Sequence, residues 1–367
     1  MKRKVEKASL LCVCLVWLCL CAGAWFLPQK EISESERRPL GRFPELSWST
    51  LIDGKFMSGF ETYSQDQFPL RDLFRRGKAL FHYYVAGQKD NNGIYLADGY
   101  AVKMEYPLNT ESVKYALEKF RGLYDAYLKE QGSRVWYAVV PDKGYYLAER
   151  SGVPALDYDE IENRMQEGMP WAEAVDLRDC LGAESYYRTD IHWRQETLLN
   201  AAGKICRSLG IPEPVEEDYT ISEIPVPFYG VYYGQAALPM SPETIRILES
   251  DLLNDCTVWN YETDSQGSVY DRSKFDSRDL YDVFLSGPVS LLRIDNPNAQ
   301  SDRELIVFRD SFGSSLAPLL VQGYRSVTLV DIRYLSGRML DRFLDFHGQD
   351  VLFLYSVPVL NNSSTLK

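Results

Sequence analysis

The sequence predicts an α/β fold, a parallel sheet covered by helices on both faces, and three observations carry that expectation. The C-terminal third alternates short β-branched or aromatic runs with amphipathic stretches, giving strands at 304–308, 326–332 and 351–355 and helices at 313–322 and 335–346. Farther upstream, an amphipathic stretch at 112–131 stops at Gly132, and the run 134–140 (RVWYAVV) ends at Pro141 as a buried parallel strand would. With 45% hydrophobic residues in 367, the chain also has apolar material for one large core or two modest ones.

Taken in order, the chain opens with Lys2, Arg3, Lys4 and Lys7 before an uncharged apolar run at 8–27. A run of about 20 apolar residues spans a bilayer as a helix, and basic flanks stay cytoplasmic. Residues 1–27 therefore read as a single-pass membrane anchor with the body of the protein outside the cytoplasm. A cleavable signal peptide is the alternative, with Ala22-Gly23-Ala24 offering small residues for processing; the length of the run favours the anchor. Four of the seven cysteines (Cys12, Cys14, Cys19 and Cys21) lie in this run, and Cys180, Cys206 and Cys256 give no disulfide framework. Residues 28–45 are polar, charged and Pro-bearing, as in a linker, and a folded domain is expected over 46–367. Within it, 211–300 is rich in Tyr, Pro, Asp and Ser without periodicity and reads as an insertion of loops and short elements walling a groove. A net charge of -12 offers no broad positive field, which argues against nucleic acid as a partner.

The chemistry concentrates in two short segments. Phe308-Arg309-Asp310-Ser311-Phe312-Gly313 places a serine where a buried strand gives way to a helix, at the sheet edge where ligands bind in open parallel sheets. Helix capping by Asp310 or Ser311 is the alternative there. A serine needs a base to become a nucleophile. Of the three histidines, His82 and His347 sit in stretches that suit packing or surface roles, whereas His192 stands in Tyr187-Arg188-Thr189-Asp190-Ile191-His192-Trp193. The Asp-x-His spacing puts both side chains on one side of an extended segment, where Asp190 can orient the imidazole. Metal binding is a distant alternative, since no further His or Cys stands at zinc-like spacing.

Asp190-x-His192-Trp193 before a helix, with Asp310-Ser311-Phe312 after a strand, resembles the DHHW and alginate O-acetyltransferase-like proteins of the SGNH hydrolase class. Asp66-Gln67-Phe68-Pro69-Leu70-Arg71-Asp72 is similar to that family's amino-terminal Asp-x-Phe-Pro-x-Arg-Asp signature, and Val140-Pro141-Asp142-Lys143 to its Pro-x-Lys strand end. Two departures stand out. Ile191 occupies the position of the motif's first His, and Arg309 that of the glycine in the commoner Gly-Asp-Ser form. The resemblance implies a flavodoxin-like fold in which Ser311 attacks an acyl donor, His192 moves the proton and Asp190 orients His192. It implies no cofactor, a polysaccharide acceptor, and an integral-membrane acyltransferase as the partner that delivers the acetyl group; water as acceptor would make the chain an esterase. A non-catalytic polysaccharide-binding or assembly protein is the reading from another class. Tyr187, Trp193, Tyr229, Tyr232 and Tyr233 are candidates for a platform on which a sugar stacks, with packing the alternative for each. Arg188 is a candidate polar contact, although ion pairing is the alternative for it as for Arg71, Asp72 and Lys143.

Overall fold

The computed structural model describes residues 2–367, and the chain falls into two units: one runs to Asn92 and includes Tyr233–Pro239, the other joins Gly93–Tyr232 to Met240–Lys367. The first unit begins with α1 (Lys2–Phe26), in which Val5–Ala24 has a mean hydropathy of 2.0 and is long and apolar enough to cross a membrane. Helices α2 (Trp48–Ile52), α3 (Lys55–Asp66) and α4 (Arg71–Leu80) follow, and α4 runs on into a π turn at Phe81–Val85. Within residues 28–45, Ile32–Ser33 pairs with Arg38–Pro39, and buried Asp66 draws this hairpin onto α3. Its carboxylate accepts from both Arg38 guanidinium nitrogens (2.9 and 2.6 Å) and from the Gly41 amide (2.8 Å).

The second unit is built on an eight-stranded sheet. In chain order its strands are β1 (Val135–Val140), β2 (Glu173–Ala174), β3 (Thr257–Asn260), β4 (Ser265–Gly267), β5 (Leu291–Asp295), β6 (Glu304–Arg309), β7 (Ser326–Val330) and β8 (Asp350–Ser356). They lie in the order β4-β3-β5-β7-β6-β8-β1-β2. The run β7-β6-β8-β1-β2 is parallel, while β5, β3 and β4 continue the sheet antiparallel.

Strands β1, β7 and β8 are buried at every position, and alternate residues serve two separate cores. On one face Trp136, Ala138, Val307, Leu329 and Leu352 pack against α7 (Leu199–Leu209). On the other, Val135, Tyr137, Phe308, Val330 and Phe353 meet α5 (Thr110–Leu123) and α6 (Tyr158–Gly168). The α/β class with helices on both faces is thus what the chain adopts.

The short elements of 211–300 include β3, β4 and β5, which join the central sheet. Val258 in β3 and Leu292 and Ile294 in β5 are buried in the core on one face of the sheet, over runs too short to show periodicity amid their polar neighbours. One element differs from the sequence reading. The helix expected at 335–346 reduces to a 3₁₀ turn at Gly337–Arg342, where Leu340 and Gly337 are buried but the charged residues around them find no apolar surface to cover.

Candidate functional site

Ser311 lies two residues past the end of β6, where the strand passes into the short helix Gly313–Leu316 at the carboxyl edge of the sheet. The turn is fixed from below. Buried Asp310 accepts from the Phe312 amide (3.0 Å) and from both the amide (2.8 Å) and hydroxyl (2.6 Å) of Ser356 at the end of β8. Arg309 has ordinary strand backbone and a fully buried side chain, which donates to the Val289 carbonyl and the Ser314 hydroxyl, each at 3.1 Å. A Cβ on Gly313 would lie 2.7 Å from that of Arg309, so only glycine lets the helix start this close to the strand.

Asp190 and His192 project from a tight loop whose flanks Tyr186 and Trp193 form an antiparallel bridge. The Tyr187 amide donates to the His192 carbonyl at 3.1 Å, closing the loop. Asp190 Oδ1 accepts from the His192 amide (3.0 Å) and lies 2.6 Å from His192 Nδ1, while Oδ2 accepts from the Val231 amide (2.7 Å). His192 Nε2 in turn lies 2.8 Å from Ser311 Oγ. Asp190 is buried, His192 has only 8% of its surface exposed, and Ser311 is partly exposed, so the chain of contacts ends at a hydroxyl that solvent can reach. With Nδ1 protonated toward Asp190, Nε2 is free to accept the serine proton, which is the geometry of base-assisted nucleophilic attack.

The loop is held by residues distant in sequence. Glu243 accepts from the Arg188 amide (2.8 Å) and from the Thr189 amide (2.8 Å) and hydroxyl (2.9 Å). Gly230 sits so close that a Cβ on it would fall 2.3 Å from Asp190 Cβ. Lys143, buried behind the loop, donates to the carbonyls of Tyr187 (2.9 Å) and Asp190 (2.7 Å), and its ammonium lies 5.0 Å from the centre of the Tyr232 ring. Burial pushes this amine down to about 7, against the pull of Asp190, Glu243 and Asp142. Tyr281 stacks on the imidazole of His192, with centroids 3.9 Å apart and planes 7° from parallel, and its hydroxyl meets Ser315 Oγ at 2.7 Å. Ser315 Oγ also accepts from Trp193 Nε1 (2.8 Å), so the ring under His192 and the residue after it share one anchor.

Asp190, His192 and Ser311, 119 residues apart between the last two, are therefore brought together. The residues expected to contact substrate divide. Trp193 and Tyr187 are fully buried and Tyr232 is 5% exposed, so these rings support the loop from behind and present no open stacking face; Arg188 donates its amide to Glu243. Lys143 is not the ion pair expected of it but a clamp on backbone carbonyls, whereas Arg71 does pair, with Glu36 (2.5 Å) and Asp66 (3.3 Å). Tyr281, Glu243 and Gly230 went unseen in the sequence because they lie in the aperiodic stretch, and no local spacing ties them to Asp190. Among the described residues, no three His, Cys, Asp or Glu side chains converge so as to hold a metal ion.

The DHHW protein family matches residues 176–330, the stretch that holds Asp190, His192 and Ser311. The fold of this chain recurs in solved structures at low identity. A DHHW family protein from Eubacterium siraeum aligns with a TM-score of 0.60 at 20% identity, over 76% of this chain and 95% of that one. Bacillus cereus PatB1, solved with a sulfonyl adduct, aligns at 0.57 and 17% over 73% of this chain and 95% of its own. A second PatB1 structure gives 0.56 and 17% over 73% and 96%. At such identities the likeness is one of fold. No curated sequence matches the chain.

Proposed function

We propose that this chain is a serine-type O-acetyltransferase acting outside the cytoplasm on an exopolysaccharide or cell-wall glycan. The observation that carries the reading is the continuous contact from Asp190 through His192 to Ser311 Oγ at 2.6 and 2.8 Å, at the ligand-binding edge of the sheet.

In the first half-reaction Ser311 Oγ attacks the acetyl carbonyl of the donor while His192 Nε2 takes its proton, and Asp190 stabilises the imidazolium. The donor's leaving group departs with that proton, and the acetyl group stays on Ser311. In the second half, a sugar hydroxyl loses its proton to His192 and attacks the acetyl-serine, which regenerates the Ser311 hydroxyl and yields the O-acetyl glycan. An integral-membrane acyltransferase is the proposed acetyl donor, and α1 would hold the two proteins in one membrane. Water in place of the sugar gives the esterase reaction with the same residues.

The test uses the full chain in detergent with a chromogenic acetyl ester. Wild type should release product and accumulate an acetyl adduct on Ser311. Ser311→Ala should lose about three orders of magnitude or more in turnover and form no adduct. A sulfonyl fluoride offers a second readout, since PatB1 is known with a sulfonyl adduct. Modification of Ser311 that is lost in His192→Ala supports the reading. Equal inertness of folded wild type and Ser311→Ala toward both reagents overturns it.

A further inference from the structure

We propose that α4 and its π turn lie along the outer surface of the same bilayer that α1 enters, with their outward face in the headgroup region. This rests on the reading of Val5–Ala24 as a membrane anchor. The helix is inside-out. In a water-facing helix the apolar stripe packs inward and the charges face solvent. Here the inward side carries Arg71 and Arg75, whose side chains are only 16% and 17% exposed and which pair with Glu36 at 2.5 and 3.1 Å, together with fully buried Ala79. The outward side carries Leu70 (63% exposed), Leu73 (64%), Phe74 (51%), Phe81 (56%), Tyr84 (62%) and Val85 (71%), at the three- and four-residue spacing of one helical stripe. From Arg71 to Val85 that stripe runs about 22 Å. A soluble surface rarely leaves so continuous an apolar band in water, and a band of this kind marks a membrane or protein contact.

What covers it follows from where the stripe begins. A Cβ on Gly23, at the exit end of the apolar span, would lie 3.1 Å from Pro69 Cγ, and Leu70 is the next residue. Beyond the span, the Lys30 amide donates to Gln67 Oε1 (2.9 Å), Gln67 Nε2 donates back to the Lys30 carbonyl (2.8 Å), and Gln29 Nε2 donates to the Tyr63 hydroxyl (2.8 Å). The point where the chain leaves the hydrocarbon is therefore stapled to the start of α4, within one unit of the fold. Any bilayer that holds Val5–Ala24 has its surface at the level of Leu70. Exposed Lys78 flanks the stripe on one side, placed to reach lipid phosphates, as on helices that lie in an interface, while Arg76 on the other flank donates to the Tyr233 hydroxyl (3.1 Å). On α2, Trp48 and Ile52 are 82% and 84% exposed and add a second apolar foot to the same unit.

The experiment reconstitutes the full chain into phosphatidylethanolamine–phosphatidylglycerol vesicles doped with a phosphatidylcholine that carries a diazirine in its acyl chain. After irradiation, adducts are mapped by peptide mass spectrometry. Adducts are expected on residues 70–85 as well as on 5–24. The triple variant Leu73→Asp, Phe74→Asp, Tyr84→Asp should lower labelling of 70–85 by about tenfold without changing that of 5–24, because charged side chains leave the acyl region. Unchanged ester hydrolysis by the variant shows that the second unit remains folded. Labelling of 5–24 with 70–85 bare overturns the proposal while leaving the anchor. Labelling of neither segment removes the anchor reading and the proposal together. Undiminished labelling of 70–85 in the triple variant also overturns it.

Discussion

At the scale of single residues, the site depends on side chains whose freedom has been removed before any substrate arrives. The His192 imidazole is held at Nδ1 by Asp190 and on its face by Tyr281, so its remaining nitrogen points at Ser311 Oγ without a choice of rotamer. Gly230 sets the other limit. A methyl group there would fall 2.3 Å from Asp190 Cβ and 2.4 Å from its Cα, contacts that only a backbone shift relieves. Gly230→Ala should therefore destabilise the fold by about 1–3 kcal/mol. It should also depress turnover more than ester binding, since it moves Asp190 and leaves the Ser311 edge intact. Denaturant unfolding measures the first effect and kcat and KM determined separately the second, and unaltered kinetics would mean that Asp190 does not orient His192. Asp190, His192 and Ser311 were legible in the sequence because chemistry restricts the residue types and the Asp-x-His spacing is local. Gly230, Glu243 and Tyr281 were not, because a glycine, a carboxylate and a tyrosine acquire meaning only when the fold carries them to the loop.

At the scale of elements, the loop from Tyr186 to Trp193 hangs on the residues just past β1. Lys143 supplies two short bonds to its carbonyls, which a neutral amine can still donate. Its ordinary value is 10.5 and burial brings it to about 7. Between those values the unfolded chain binds a proton that the folded chain does not, so this residue's contribution to stability rises with pH from about 7 toward 10.5 and is smallest below that window. The stability gap between wild type and Lys143→Met should accordingly widen between pH 7 and pH 9 in denaturant titrations. A constant gap would show that Lys143 stays charged in the fold. Glu243→Ala, which strips two loop amides and a hydroxyl of their acceptor, should cost about 1–3 kcal/mol and loosen the same loop. The strands at 134–140, 304–308, 326–332 and 351–355 were readable because each is a continuous apolar run, whereas β3 to β5 are short, partly solvent-facing and antiparallel, and leave little trace in composition.

At the scale of the whole molecule, the sequence separates an N-terminal apolar helix from a large acidic body, and this predicts a topology. Protease added to intact spheroplasts should digest the body while residues 5–24 stay with the membrane fraction. Protection of the body until the membrane is broken would place it on the cytoplasmic side. The inside-out character of α4 could not be read at this level. The motif Asp66-Gln67-Phe68-Pro69-Leu70-Arg71-Asp72 stands out by resemblance, but which side of the helix faces in depends on Glu36 and Asp66 drawing the arginines inward. The clasp between Asp310 and Ser356 reaches further than the turn it fixes. It ties the turn that carries Ser311 to the end of β8, which lies between β6 and β1 in the middle of the parallel sheet, so the serine cannot drift from its place while that sheet persists. On the proposed function, heat inactivation should then track the melting of the sheet rather than precede it, and protein cooled before that transition should return with Ser311 and His192 in register.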